Sequence, residues 1–349
     1  MEVIESCDSI AVSTRMRLAR NFEGYPFPNR LLRDPHAAEQ ATEMISLISA
    51  ELKLIDAFVL YEMKNISDEN AAFLSERNLI SRDLLANRKI SAALVSKDER
   101  ISVMINEEDH LRIQYFMKGF DLVKAYERVL NLEEQIAEFI PIAYDAQFGY
   151  LTACPTNLGT GLRASVMLFL PALSRRGRMR KMVSVLNKGG LTVRGAYGEG
   201  SNTEGDLFQI SNEMTLGLSE NHILNLVDMT VTTLTDMEIT ERMRMKAEEG
   251  LALSDELSRS YGVLTHCRKM DSNEFIARIA DLKLAIALGW LGGEEKGELL
   301  MGRLDSLTAE LRPANLNRLE GRKLSPSEQD VARASYAQKA IAELNLREN

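Results

Sequence analysis

DSIAVSTRMRLARN, residues 8–21, alternates with the two-residue period of a β-strand. Ile10, Val12, Met16 and Leu18 point one way; Ser13, Arg15, Arg17 and Ala19 point the other. Two arginines therefore share a polar face. Alone, such a strand is more often a surface ladder than a binding site, so its meaning depends on what else the chain brings. In RISVMINEEDHLRIQ (100–114), the same alternation predicts a strand with Glu108, His110 and Arg112 on one face, and with Ile101, Val103 and Ile105 beginning the other. In LTVRGAYGEGSNTEGDLFQISN (191–212), Arg194 precedes a glycine-rich loop carrying Glu199, and Leu207 to Ser211 resume an apolar strand. In LTACPTNLGTGLRASVMLFLP (151–171), Cys154 sits in a tight polar loop with Pro155, Asn157, Gly159 and Gly161, and the run Arg163 to Leu170 follows at once.

The rest of the chain sets the bounds. Its 349 residues, 45% of them hydrophobic, leave room for a large core and two domains. A net charge of −9 argues against generic nucleic-acid binding. The basic run Arg175, Arg176, Arg178, Arg180, Lys181 reads first as a solvated helix face and second as a docking surface for an acidic partner. Three cysteines, Cys7, Cys154 and Cys267, form no CxxC pair, so neither a disulfide framework nor a zinc site is expected and a reducing cytoplasm fits. MEVIESCDSI has no apolar signal core, and no run is long enough to span a membrane. From Ser219, a plausible N-cap, apolar residues recur at helical spacing (Ile223, Leu226, Val227, Thr230, Leu234, Met237). Further helical stretches break at Gly292–Gly293, Pro313 and Pro326. The expected organisation is an α+β domain over residues 1–225 and a helical domain over 226–349.

No GxxxxGK[ST] sequence occurs, and YGEGSNTEG lacks the spacing of a dinucleotide fingerprint. What stands out is five arginines, Arg15, Arg17, Arg112, Arg163 and Arg194, each next to a strand or tight loop. Guanidinium forks match phosphate oxygens and stay charged. Five that converge repel one another unless a polyanion lies between them, and a nucleoside triphosphate with magnesium is the natural guest. Glu108 and Glu199 would then rim a strongly positive site and hold a cationic acceptor. Cys154 would lie in the same field, with Thr156 in place to hydrogen-bond its sulfur.

These segments resemble the ATP:guanido phosphotransferase (phosphagen kinase) family, in its bacterial protein-arginine-kinase branch. The matching motifs are Ser13-Thr14-Arg15-Met16-Arg17, Asn106 through Arg112, Cys154 through Thr160, and Arg194-Gly195 with Gly198-Glu199. The resemblance implies an antiparallel β-sheet flanked by helices, followed by an all-helical C-terminal domain. It implies that Ser13 and the five arginines bind ATP with Mg2+, with no protein metal site. It further implies that Glu108 and Glu199 grip the acceptor guanidinium, and that Cys154 lies against it. Glu108 is the preferred proton acceptor, because a guanidinium with a pKa above about 12 is a poor nucleophile until a proton leaves.

In small-molecule members a helical domain precedes the first motif. Here that motif begins at Ser13, so an open site taking arginine side chains of proteins is expected. Two alternatives are a kinase for a small free guanidino compound such as arginine, and a non-catalytic adaptor that recognises arginine or phosphoarginine clients. The resemblance also implies a stress-response role in the cytoplasm, client marking for a Clp-type unfoldase and protease, a small zinc-binding activator, and a homo-oligomer, with neither nucleic acid nor membrane as partner. One motif departs. Where that branch often has Arg-Asp-x-x-Arg-Ala, linked to allosteric phosphoarginine binding, this chain has Gln329, Asp330 and Arg333. Asp330 and Arg333 match; the leading arginine does not. An ordinary helix start, capped by Ser325 or Ser327 with Pro326 in the first turn, is the competing expectation.

Overall fold

The computed structural model describes residues 9–31, 37–195 and 204–348. Its elements begin with β1 (Ala11–Arg20), α1 (Pro28–Leu31), α2 (Ala37–Ile55), β2 (Phe58–Glu62), α3 (Asp68–Glu76) and α4 (Arg82–Ala86). Next come β3 (Ala92–Ser96), β4 (Ile101–Ile105), β5 (Leu111–Lys118), α5 (Leu122–Ala137), and the short β6 (Tyr144–Asp145) and β7 (Gly149–Tyr150). β8 (Leu162–Phe169), α6 (Pro171–Arg175), α7 (Met179–Lys188), β9 (Leu191–Gly195) and β10 (Leu207–Asn212) follow. The rest is helical apart from one small ladder: α8 (Glu220–His266), α9 (Ser272–Ala287), β11 (Leu291–Gly292), α10 (Gly297–Glu310), α11 (Pro313–Leu319), α12 (Pro326–Glu343) and β12 (Arg347–Glu348).

Eight strands form one sheet in the order β2-β3-β4-β5-β1-β8-β10-β9, and the pairings from β2 through β5 to β1 are antiparallel. Packing divides the chain into two compact units, and not by a single cut. One comprises Ser13–Ser165 with Ser211–Asp228; the other comprises Met1–Val12, Val166–Ile210 and Met229–Asn349.

In the unit of Ser13–Ser165, the alternation expected of the first strand holds: Met16 and Leu18 are fully buried, while Arg15 and Arg17 are only half-buried. Helix α5 begins where Asp121 accepts a hydrogen bond from Lys124 N. It buries Ala125, Val129, Leu132 and Ile136, spaced three or four apart so that they line one face. A second cluster joins Leu74 and Leu84 of α3 and α4 to Val95 and Met104 of the sheet.

The other unit is held by a larger core that includes Phe169, Leu257, Leu264, Phe275, Leu282, Leu304 and Ile341. Helix α8 starts in the first unit at Ser219, whose Oγ accepts from His222 N at 3.3 Å; from Met229 it belongs to the second, where its helical geometry breaks at Gly250. Helices α11 and α12 start at Pro313 and Pro326, as the sequence indicates. Ser325 caps α12 in a reciprocal capping box with Glu328. Among the described residues, no helix is long and apolar enough to cross a membrane.

Candidate active site

Strands β1 and β5 form the floor of the site. In their register Arg15 faces Phe116, Arg17 faces Gln114 and Ala19 faces Arg112. Opposed residues share a face, so Arg15, Arg17, Arg112 and Gln114 stand together. Arg15 Nη2 donates to Gln114 Oε1 at 2.5 Å, and the Arg15 guanidinium lies 4.9 Å from the Phe116 ring centroid. Gln114 is itself fixed, its amide donating to the carbonyls of Asn78 (2.9 Å) and Leu79 (3.1 Å). On β8, Ser165 Oγ donates to the Arg15 carbonyl at 3.0 Å, and Arg163 Nη2 donates to Ser211 Oγ at 3.2 Å.

Charge is concentrated here. Burial, with Arg112 and Arg163 adding repulsion, pulls the Arg15 pKa down to about 10, so the group is still a cation at neutral pH. A buried guanidinium destabilised by two neighbouring cations makes a site that gains by taking up a polyanion. A cavity of about 450 Å3 opens beside Arg15 and Arg112, lined also by Arg17, Arg82, Glu76, Asn78 and Ser81.

The predicted strand over 100–114 is interrupted. Asn106 turns the chain at φ 56, a left-handed conformation that asparagine tolerates better than most residues. Hydrogen bonds from Asn106 N to His110 O (3.0 Å) and from Glu107 N to Asp109 O (3.1 Å) close a hairpin. Glu108 therefore rides at a tip with 40% of its side chain exposed, while Glu107 is buried. Arg112 Nη1 donates to Glu107 Oε1 at 2.6 Å, and Arg112 Nη2 reaches Glu108 Oε2 at 3.4 Å. Ser81, the N-cap of α4, also donates to Glu107.

His110 does not share a face with Glu108 and Arg112, a correction to the strand reading. Its Nδ1 accepts from Phe22 N at 3.1 Å and its Nε2 bonds the Pro26 carbonyl at 2.8 Å. Burial lowers its pKa, and it serves as a neutral peg under the hairpin.

Cys154 enters the site from the loop after β7. Its Sγ lies 3.0 Å from Thr156 Oγ1, and the thiol is close enough to Glu108 to stabilise its carboxylate. Burial raises the Glu108 pKa against the opposing pull of Arg112 and of that thiol. One buried carboxylate ties the two loops together. Asp109 Oδ1 accepts from Ala153 N (2.6 Å) and Asn21 Nδ2 (2.7 Å), and Asp109 Oδ2 accepts from Asn157 Nδ2 (3.3 Å). Asn21 Oδ1 in turn accepts from His110 N at 2.9 Å. Sequence reasoning missed Asn21, Glu107, Asp109 and Gln114. Glu107 and Asp109 lay inside the Asn106 to Arg112 motif without a role, and Gln114 stands at the two-residue spacing from Arg112.

The remaining candidates stand elsewhere. Ser13 stands opposite Lys118, where the pairing of β1 with β5 begins. Arg194 is an exposed residue of β9, in the other unit, and Glu199 and Cys7 lie outside the described residues. The basic run is no free docking patch at its first three arginines. Arg175 pairs with Glu256 and Asp281, Arg176 with Glu248 and Glu249, and Arg178 with Glu241. In α12, Arg333 is buried and donates to the carbonyls of Met270 (2.9 Å) and Leu311 (3.2 Å) and to Asp330 (3.0 Å). Asp330 also pairs with Lys269, and Gln329 donates to Asn317. Both candidate phosphoarginine residues are thus committed to the fold of the helix start.

Residues 40–241 match the ATP:guanido phosphotransferase C-terminal catalytic domain, and residues 250–349 match the protein-arginine kinase McsB C-terminal domain. The chain belongs to the ATP:guanido phosphotransferase family, in its protein-arginine-kinase branch. A protein-arginine kinase of Caldanaerobacter subterraneus subsp. tengcongensis is 37% identical over 94% of this chain and 95% of its own length. That of Bacillus subtilis (strain 168) is 38% identical over 95% and 90%. Among solved structures, lombricine kinase superposes with a TM-score of 0.57 at 26% identity, over 67% of each chain. The duplicated taurocyamine kinase of Schistosoma mansoni with bound transition-state-analogue components reaches 0.59 at 24% identity, over 79% of this chain and 40% of that one, and so speaks for the fold alone. Enzymes of this family take their phosphoryl group from ATP.

Proposed function

We infer that this chain is an ATP-dependent kinase that phosphorylates the guanidinium of arginine side chains in proteins. The observation that carries the reading is the juxtaposition of Arg15, desolvated beside the cations Arg112 and Arg163, with a carboxylate, Glu108, that Arg112 reaches and that lies beside the Cys154 thiol. Arginines without a guest suit a triphosphate; a carboxylate beside a soft sulfur suits a flat cation.

In the mechanism we propose, Arg15, Arg17, Arg112 and Arg163 hold the ATP phosphates, and the family resemblance gives Arg194 the same role. Magnesium, carried on those phosphates, supplies further charge neutralisation. Glu108, with Glu199, grips the acceptor, and Cys154 sets the plane of the guanidinium. Glu108 accepts a proton from the attacking guanidino nitrogen as the new phosphorus–nitrogen bond forms and the bond to the ADP oxygen breaks. Its raised pKa makes it a better base than an ordinary glutamate. The transition state spreads negative charge over the phosphoryl oxygens, so fixed guanidinium groups stabilise it as they position it. Asp109 keeps acceptor loop and cysteine loop in register.

We propose a wider reading on the resemblance alone: clients marked for a Clp-type protease in the cytoplasm, with a small zinc-binding activator and a homo-oligomeric kinase. The test is incubation with MgATP and casein, with free L-arginine in parallel, read by mass spectrometry at neutral to basic pH. Phosphoryl transfer to arginine within casein is the expected product. Turnover of free arginine alone would make this a small-guanidine kinase, and transfer to neither would favour the adaptor.

A further inference from the structure

A kinase for arginine in proteins must seat polypeptide on either side of the reacting side chain. Two segments packed on the loop that follows Cys154 expose four large apolar side chains: Tyr144 (60%), Phe148 (45%), Met214 (54%) and Leu216 (45%). The segments are residues 144–150 and 213–217, and both are locked onto the cysteine loop by backbone. Tyr150 N donates to Gly159 O at 2.8 Å, and Tyr150 O accepts from Gly159 N at 3.4 Å. Thr215 Oγ1 donates to the carbonyls of Thr156 (2.9 Å) and Leu158 (2.7 Å).

The packing leaves no space between the layers. A Cβ on Gly149 would sit 2.7 Å from Gly159 O; one on Gly159 would sit 2.4 Å from Thr215 O and 2.7 Å from the Leu216 Cα. The apolar groups are therefore held on a stiff frame continuous with the acceptor site. Gly159 is five residues from Cys154, at most about 18 Å of extended chain. An extended polypeptide advances about 3.3–3.6 Å per residue, so side chains within about six positions of the acceptor arginine reach this surface. Exposed Glu213 adds a carboxylate that suits a basic segment.

We propose that Tyr144, Phe148, Met214 and Leu216 form a docking rim for the polypeptide acceptor, which seats apolar residues flanking the target arginine. The proposal rests on the protein-arginine-kinase reading and names how that site holds its macromolecular substrate. A free guanidino compound has nothing to place there.

Two peptides test it on the full chain: an acetylated and amidated glycine peptide with six glycines on either side of one arginine, and one with Phe and Leu replacing alternate glycines on both sides. Wild type should use the apolar-flanked peptide about tenfold better in kcat/KM, through KM. Phe148→Ser combined with Leu216→Ser should abolish that preference, raise KM for casein about tenfold, and leave kcat/KM on the glycine peptide and KM for MgATP unchanged. Phe148→Leu should keep the preference, which separates an apolar contact from a disturbed fold.

Equal use of both peptides by wild type overturns the proposal, as does an equal loss on both in the double variant. A change of oligomeric state by light scattering, with casein KM unchanged, would make the surface an interface between copies instead. If wild type transfers phosphoryl to neither peptide nor casein, the kinase reading itself fails, and the rim falls with it.

Discussion

Two sets of arginines in this chain look alike in sequence and differ in what surrounds them. Arg175, Arg176 and Arg178 stand in one unit, each matched by carboxylates of α8 and α9, and the Glu248 hydrogen bond raises the Arg176 pKa. Arg15, Arg112 and Arg163 stand in the other. Arg112 has Glu107 and Glu108, but Arg15 is desolvated beside two other cations and its pKa falls to about 10. A guanidinium that the chain neutralises holds helices together. One left among like charges is poised for a ligand that brings the missing charge. Local density of arginine does not tell these cases apart; the charge balance around each does.

The contrast can be broken at several points. Arg15→Ala and Arg112→Ala should each lower kcat/KM for protein phosphorylation by about 10³-fold or more, the scale of a single arginine at a phosphoryl-transfer site. Arg176→Ala should leave it within about twofold. Steady-state kinetics at saturating protein substrate checks both, and comparable losses in the two sets would erase the distinction.

Glu108→Gln should lower kcat by roughly 10²–10⁴-fold, the worth of a general base, with ADP affinity unchanged. Near-normal turnover would remove Glu108 from proton transfer. The pH dependence sharpens the same point. The Glu108 pKa is raised, so activity that needs its carboxylate is present above that pKa and lost as pH falls through it. The acid limb of kcat/KM should lie above the ordinary glutamate value of about 4.3 and vanish in Glu108→Gln.

Gly159→Ala places a Cβ 2.4 Å from Thr215 O at a φ of +102°, so it should cost about 1–3 kcal/mol in urea unfolding and weaken turnover by shifting the cysteine loop. An unchanged midpoint would show that the three backbone layers can part freely.

Much of this was legible in the chain. Period two in residues 8–21 showed which side of β1 is polar, because one face of that strand is packed against apolar residues. Ser219, Pro313 and Pro326 marked helix starts, because capping and proline chemistry are local. What escaped was decided at long range. The hairpin at 106–110 depends on one asparagine in a left-handed conformation, and alternation reads straight through it. Asn21 meets Asp109, and Asp109 meets Asn157, across many tens of residues, with no periodic signal. The carboxylates that neutralise Arg175, Arg176 and Arg178 are just as remote, so a run of basic residues looked available when it was paired. Arg333 matched a motif by type, yet its donors face the carbonyls of Met270 and Leu311.

The most direct measurement is ADP binding by calorimetry at low and moderate salt for wild type, Arg15→Ala, Arg112→Ala and Arg176→Ala. The arginine cavity should lose at least about tenfold in affinity with either of the first two substitutions, and the salt dependence should flatten; Arg176→Ala should bind as wild type does. Equal affinity in all four proteins would contradict the assignment of this cavity to the nucleotide phosphates.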